Sequence, residues 1–173
     1  MKNYLLLLFL FLSFTAHSAV FKLADGQIKI DVPKGWQDAK NLFGVQLTLL
    51  GPQKYKNRPV ILIDGANFGK ITFDEKSLKK NEDEYKQGRE KWISKYNGRS
   101  FEYFPYEVRK ISAGMNIHTV GYRYEIAGTQ FIEHSNYIQC GDKLYNVKSV
   151  VLTEENDTYR TQINELVKNF SCL

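Results

Sequence analysis

Two histidines, His118 and His134, are the side chains of this sequence best suited to proton transfer near neutral pH. Both fall in an alternating segment, where we expect them to point to the same, more apolar face of a sheet. The register expected below places His134 beside Tyr122 and Ser149. This grouping is typical of a hydrogen-bonded histidine at the edge of a core, and a small exported hydrolase using His134 is the alternative. Because no positioned acid or oxyanion donor accompanies it, we expect no catalytic residue.

Residues 65–72 have the order of a phosphate-binding loop, a glycine-containing segment between a strand and a helix. Three residues instead of four separate Gly65 and Gly69, and Ile71 stands where a Ser or Thr would reach Mg²⁺. The histidines and cysteines also lack the spacing of a zinc site. We therefore expect no cofactor and no metal.

The first nineteen residues have the features of a secretory signal peptide. Lys2 precedes an apolar run of about ten residues, which is half the length that a membrane-spanning helix needs. Small residues follow, so we expect cleavage after Ser18 or Ala19, with an uncleaved anchor as the alternative. The prediction is a signal peptide over 1–19, a single domain over 20–173 without a transmembrane segment, and a periplasmic or secreted location.

Two cysteines, Cys140 and Cys172, remain after such a cleavage. An even pair in a small domain of an oxidising compartment is usually a disulfide, and two free thiols in a core are the alternative. The bond would close a loop of 32 residues.

The composition fits a globular domain that is mildly basic. The 173 residues include 43% hydrophobic and 14% aromatic side chains, and the net charge is +5 with both signs interspersed. Such a balance favours weak attraction to anionic surfaces, without the concentrated basic patch of a nucleic-acid-binding protein. We expect the partner to be another envelope protein or an anionic envelope component, and no nucleic acid.

The elements that would position these residues are strands and two helices. Residues 20–23 and 27–32 predict a hairpin around Asp25-Gly26, and two further short strands are expected over 46–50 and 59–63. Asp74 and Asn97-Gly98 are the expected caps of a charged surface helix, and a stripe over 163–170 predicts a second helix at the chain end.

Four segments, 104–111, 117–126, 130–140 and 143–152, predict an antiparallel meander. The Gly141-Asp142 turn pairs Cys140 with Lys143 and His134 with Ser149. A three-residue turn over 127–129 would place Tyr122 opposite His134, and Arg123 opposite Glu133.

This order of elements, with the turn Val32-Pro33-Lys34-Gly35-Trp36, resembles the PsbP-like superfold, which includes DcrB-type exported proteins. The resemblance implies an α+β fold, an antiparallel sheet with helices packed on both faces. It also implies a binding or accessory protein, because members of the superfold share no catalytic residue.

The candidate binding residues combine aromatic rings with positive charge: Trp36, Phe43, Tyr55, Lys56 and Arg58. A structural role is the alternative for each of them, and for Trp36 that alternative, core packing, is the favoured one. We expect a non-catalytic, exported binding or accessory protein of the cell envelope. The alternatives are the hydrolase and a structural envelope component that associates with itself.

Overall fold

A computed structural model describes residues 17–23, 26–53, 57–67, 75–111 and 114–173. These residues form ten β-strands, two α-helices and one 3-10 turn. The strands are β1 (His17–Leu23), β2 (Gly26–Val32), β3 (Gln37–Lys40), β4 (Leu47–Leu50), β5 (Val60–Asn67), β6 (Arg99–Lys110), β7 (Asn116–Ile126), β8 (Thr129–Cys140), β9 (Lys143–Leu152) and β10 (Ser171–Cys172). The helices are α1 (Glu75–Ser94) and α2 (Asn156–Lys168), and the 3-10 turn (Thr153–Glu155) leads into α2.

The strands form two antiparallel sheets. The large sheet has the order β3-β4-β5-β9-β8-β7-β6, and the small sheet has the order β1-β2-β10. In β2, which lies between β1 and β10, apolar and polar side chains alternate, so one face points inward. Ile28, Ile30 and Val32 are all buried, as the sequence predicts. The predicted turn residues Ala24 and Asp25 lie outside the described residues.

The main core lies between the two sheets and α2. It joins Ile28 and Ile30 of the small sheet to Ile61 and Ile63 of β5, and α2 adds a stripe at helical spacing. That stripe comprises Tyr159, Ile163, Leu166 and Val167. The small sheet thus covers part of the large sheet. The prediction of an antiparallel α+β fold is confirmed. The expectation of helices packed on both faces is not supported, because the described residues form ten strands and only two α-helices.

The helix α1 packs on β6 and β7 through a second, aromatic cluster. Ile93 is buried there against Tyr122 and Tyr124, while most of the other α1 side chains are charged. The helix ends as predicted near Asn97, which adopts the left-handed conformation with φ 51°, and the Gly98 amide donates to the Ile93 carbonyl. The predicted cap at Asp74 lies outside the described residues.

Two of the three turns of the meander differ from each other in how well the sequence predicts them. The Gly141-Asp142 register is confirmed, with Cys140 opposite Lys143. The prediction for the middle turn is wrong by one residue. The turn contains only Ala127 and Gly128, and Ile126 therefore pairs with Thr129. Both turn residues have positive φ, which a two-residue hairpin turn requires.

That shift changes the partners along β7 and β8. Tyr122 pairs with Glu133 instead of His134, and Gly121 takes the place opposite His134. Arg123 lies opposite Ile132, and its guanidinium is 3.1 Å from the Glu102 carboxylate of β6. A one-residue slip moves every side chain of a strand to the other face relative to its partner.

Candidate functional site

The predicted binding residues do not form one surface. Trp36 is buried, with only 6% of its surface exposed, and its indole Nε1 donates to Gln162 Oε1 at 2.9 Å. The Trp36 ring also meets the Tyr159 ring edge to face at 6.0 Å. Trp36 therefore packs the segment between β2 and β3 against α2.

The other predicted binding residues lie in loops. Phe43 is 70% exposed in the turn between β3 and β4, where its φ is 57°. Arg58 is half-buried just before β5. Tyr55 and Lys56 lie outside the described residues.

A polar cleft of about 130 Å³ lies between β6, the start of α2 and the central strands of the large sheet. Strand β6 supplies one wall with Phe104, Pro105, Glu107 and Arg109, and α2 supplies the other with Asn156, Arg160, Ile163 and Asn164. The floor comprises Thr119, Val120, Gly121, His134, Asn136, Ser149 and Val151. This cleft is the candidate functional site.

The imidazole of His134 lies at the floor of the cleft, in surroundings that favour its neutral form. Burial lowers the pKa of His134, and the positive charges of Arg160 and Arg109 lower it further. The carboxylate of Glu107 acts in the opposite direction. A neutral imidazole offers one donor and one acceptor to a ligand, and two guanidinium groups stand near it.

Gly121 makes room for the ring that covers His134. The Phe104 ring stacks on the His134 imidazole, with 5.1 Å between centroids and 17° between planes. A Cβ built on Gly121 would lie 2.9 Å from His134 Cδ2 and 2.9 Å from Phe104 Cδ2. The stack therefore depends on a glycine at this position of β7.

A buried chain of polar groups supports Arg109 from beneath. The Thr119 hydroxyl donates to Asn136 Oδ1 at 2.9 Å, and Asn136 Nδ2 donates to the Val147 carbonyl at 3.1 Å. Arg109 Nη2 lies 3.5 Å from Thr119 Oγ1 at the exposed end of this chain. These contacts fix the buried amide, so the floor of the cleft is preorganised.

The expected relay of His134, Tyr122 and Ser149 is only partly assembled. His134 and Ser149 are opposite each other in β8 and β9, as predicted. The predicted position of Tyr122 beside His134 is wrong, because Tyr122 pairs with Glu133 and its side chain belongs to the aromatic cluster under α1. His118 is also on that other face, since it pairs with Tyr137 and its Nδ1 is hydrogen-bonded to the Tyr106 hydroxyl. The two histidines therefore do not share a face.

A second charged group lies beneath α1. Glu133 is 3% exposed, and its Oε1 is 3.4 Å from Arg89 Nη1 of α1 and 3.8 Å from Lys148 Nζ of β9. Burial raises the pKa of Glu133, and the Lys148 and Arg89 charges oppose that rise. Burial and the negative charge of Glu133 together raise the pKa of Tyr85 far above its usual value. This group attaches α1 to the sheet and is separate from the cleft.

The predicted disulfide between Cys140 and Cys172 is confirmed, with 5.8 Å between the Cα atoms. It connects the end of β8 in the large sheet to β10 in the small sheet. Among the described residues, no group of three or more His, Cys, Asp or Glu side chains is placed to hold a metal ion. Neither described helix is long and apolar enough to cross a membrane.

Sequence reasoning found His134 and Ser149 but missed Phe104, Arg109 and Arg160. Arg109 and Arg160 belong to β6 and α2, 51 positions apart in the chain, and no local pattern relates them. The available signal was Gly121, a glycine in the middle of an otherwise regular strand, which marks a close approach.

Three solved structures are similar over most of their length. The chain matches the cyanobacterial PsbP (CyanoP) of Synechocystis sp. PCC 6803 with a TM-score of 0.62 at 12% identity, covering 91% of this chain and 94% of that one. It matches LpqN, involved in cell envelope biogenesis of Mycobacterium tuberculosis, with 0.59 at 11% identity and 90% of each chain. A protein of unknown function from Pseudomonas aeruginosa gives 0.52 at 12% identity, covering 88% and 95%.

The PsbP-like fold expected from the order of elements is confirmed by these similarities. Identities near 12% show the fold alone, because proteins of one fold carry unrelated functions. No protein-family model matches the chain, and no curated protein sequence matches it.

Proposed function

We propose that this protein is an exported, non-catalytic accessory protein of the cell envelope that binds an anionic ligand in the polar cleft. The observation that carries the proposal is the placement of Arg109 and Arg160 on facing walls above a neutral His134. Two guanidinium groups match the acceptor oxygens of a carboxylate or phosphate, and the hydrogen-bonded Thr119 and Asn136 fix the floor beneath them.

Export is the second part of the proposal and has support of a different kind. The apolar leader has signal-peptide character, and the disulfide suits an oxidising compartment. Cleavage after Ser18 or Ala19 leaves the pairs from Val20–Lys29 to Leu23–Gly26 within β1 and β2. The envelope role named for LpqN fits this proposal.

The cleft proposal is tested by titrating the oxidised protein with inorganic phosphate and with acetate, observed by nuclear magnetic resonance. We expect saturable shifts of the Gly121 amide and of the His134 ring. Arg109→Gln and Arg160→Gln should each weaken binding, since both side chains are exposed and their loss leaves the core intact. Lys40→Gln, an exposed change in β3, is the control. Shifts that do not saturate, or that persist in both arginine variants, contradict the proposal.

Export is tested by mass spectrometry of the intact protein from the extracytoplasmic fraction. The expected first residue is Ala19 or Val20. Recovery of the protein only from the cytoplasm, with residues 1–19 still attached, contradicts this part of the proposal.

The second candidate function is hydrolysis that uses His134, which the adjacency of His134 and Ser149 on the cleft floor favours. A screen against ester, peptide and glycan substrates separates the two functions. Turnover that is lost in both His134→Ala and Ser149→Ala, with the fold retained, would replace the binding proposal with the catalytic one.

A further inference from the structure

Glu107 is the charged residue of the cleft to which the proposed function gives no role. Its side chain lines the cleft together with Arg109 and Arg160. All three charges act on the His134 imidazole, since the carboxylate raises the pKa of His134 and the two guanidinium groups lower it. One carboxylate and two guanidinium groups therefore surround the same small space.

The geometry of β6 brings Glu107 and Arg109 to the same side of the sheet. The ladder between β6 and β7 is regular from Glu107 to Lys110. Alternate residues of a regular strand point to the same face, with their Cα atoms about 7 Å apart. Helix α2 places Arg160 on the facing wall. The carboxylate thus shares a wall with one guanidinium group and lies across the cleft from the other.

These opposite charges do not neutralise one another. Among the residues that the structure describes, no ion pair involves Glu107, Arg109 or Arg160. The nearby polar contact of Arg109 is to a neutral group, because its Nη2 lies 3.5 Å from Thr119 Oγ1. All three charged side chains are exposed, so a ligand in the cleft can reach each of them.

The charges on the walls discriminate between classes of ligand. A dicarboxylate is attracted by the two guanidinium groups but repelled by Glu107, and a simple cation is repelled by both arginines. A ligand with two anionic groups and one cationic group has a partner for every charge. Its single net negative charge also offsets the single net positive charge of the walls.

The volume of the cleft restricts such a ligand to a small molecule. About 130 Å³ is below the several hundred Å³ of pockets that enclose drug-sized ligands. A carboxylate can accept two parallel hydrogen bonds from a guanidinium group, and an ammonium group donates to a carboxylate. Aspartate and glutamate combine two carboxylates with one ammonium group in a compact molecule.

We propose that the cleft binds a free acidic amino acid. One of its carboxylates binds Arg109, the other binds Arg160, and its ammonium group donates to the Glu107 carboxylate. This inference rests on the proposed anion-binding function of the cleft and names the class of ligand that the site serves.

The test compares two matched pairs of small molecules at pH 7. Aspartate is paired with succinate and glutamate with glutarate, because each dicarboxylate lacks only the ammonium group of its partner. Titrations of the oxidised protein are followed by nuclear magnetic resonance at the Gly121 amide and the His134 ring. We expect one amino acid or both to bind at least tenfold more tightly than the matched dicarboxylate.

Three variants assign the charges. Glu107→Gln should reduce the preference for the amino acid to less than threefold, since the ammonium group loses its partner and the dicarboxylate loses a repulsion. Glu102→Gln removes the same charge from an exposed position of β6 outside the cleft and should keep the tenfold preference. Arg160→Gln should weaken the binding of both members of each pair at least fivefold.

The outcomes separate this inference from the function on which it rests. Equal binding of the two members of both pairs overturns the inference and keeps the proposed function. A tenfold preference that persists in Glu107→Gln also overturns the inference. Binding of phosphate or acetate without binding of either amino acid overturns the inference alone, whereas the failure of every ligand to bind overturns both.

Discussion

The Phe104 ring covers the His134 imidazole at 5.1 Å, and these two residues come from β6 and β8, which are not neighbours in the sheet. Strand β7 lies between β6 and β8, and its residue beneath the stacked rings is Gly121. One wall of the cleft therefore reaches its floor across a position without a side chain. The stack over the floor of the cleft therefore requires a glycine at position 121.

Gly121→Ala should destabilise the protein and disturb the cleft. The added Cβ would lie 2.6 Å from the Glu133 carbonyl oxygen as well as close to both rings, so backbone must shift. We expect a loss of about 2 kcal/mol in the free energy of unfolding, measured with urea.

Gly88→Ala is the matched control for Gly121→Ala. Gly88 lies on α1 with nothing within 4 Å of an added Cβ, and alanine favours helix by about 0.5–1 kcal/mol. The control should therefore be more stable than the unchanged protein. If Gly121→Ala loses no stability, the close packing of Phe104 and His134 over Gly121 is contradicted.

Arg160→Gln should raise the pKa of His134. The Arg160 charge is one of the causes that lower it, after burial, and its loss leaves Arg109 and Glu107 as the charged groups acting on the ring. The measurement is a titration of the His134 ring by nuclear magnetic resonance. An unchanged or lower pKa contradicts the placement of Arg160 over the cleft.

The same shift makes stability depend on pH with a definite sign. As the pH falls, the unfolded chain takes up a proton at His134 near pH 6.5, whereas the folded protein takes it up only at a lower pH. The stabilising contribution of neutral His134 is therefore full above about pH 6.5 and is lost as the pH falls through 6.5 toward the lower folded value. Arg160→Gln should make this loss smaller.

Arg89→Gln should raise the pKa of Glu133 further above its usual value, because a positive charge that opposes the effect of burial is removed. A carbon-13 titration of the Glu133 carboxyl measures this. We expect unfolding at pH 7 to become easier by about 1–2 kcal/mol, since one partner of a buried ion pair is lost.

Lys80→Gln removes a different ion pair of α1 and is the control. Lys80 Nζ is 3.7 Å from Glu84 on the exposed face of the helix, so we expect a change within about 0.5 kcal/mol and no effect on Glu133. Equal effects of the two changes would show that Arg89 does not attach α1 to the sheet.

Removal of the disulfide in Cys140→Ala/Cys172→Ala should cost about 3–4 kcal/mol of stability, from the loop entropy of 32 residues. Denaturant unfolding measures the loss, and chemical reduction of the unchanged protein should give a similar value. Digestion without reductant should recover a peptide that joins the two cysteines. Recovery of both as alkylated thiols contradicts the bond.

The sequence predicts those parts of the fold in which local rules act alone. Alternation in β2, the Gly141-Asp142 turn and the stripe of α2 all follow from neighbouring residues. The middle turn does not follow from neighbouring residues, because Ala127 adopts a positive φ that is uncommon for alanine. Expecting a longer turn there assigned Tyr122 to the wrong face.

The cleft is harder to predict for a different reason. Its walls come from β6 and α2, which meet only after three intervening strands have paired. Arg109 and Arg160 look like ordinary surface charges in the sequence, and Trp36, a candidate binding residue for which core packing was favoured, is buried. Long-range packing decides all three.

The Cys140–Cys172 bond has a mechanical consequence. The covalent loop that it closes contains β9 and α2. Tension applied between β1 and the residue after Cys172 passes through the sulfur atoms directly to Cys140 and bypasses everything in the loop. If the protein were stretched between those two points, the force along the backbone would therefore not pass through α2, the helical wall of the cleft.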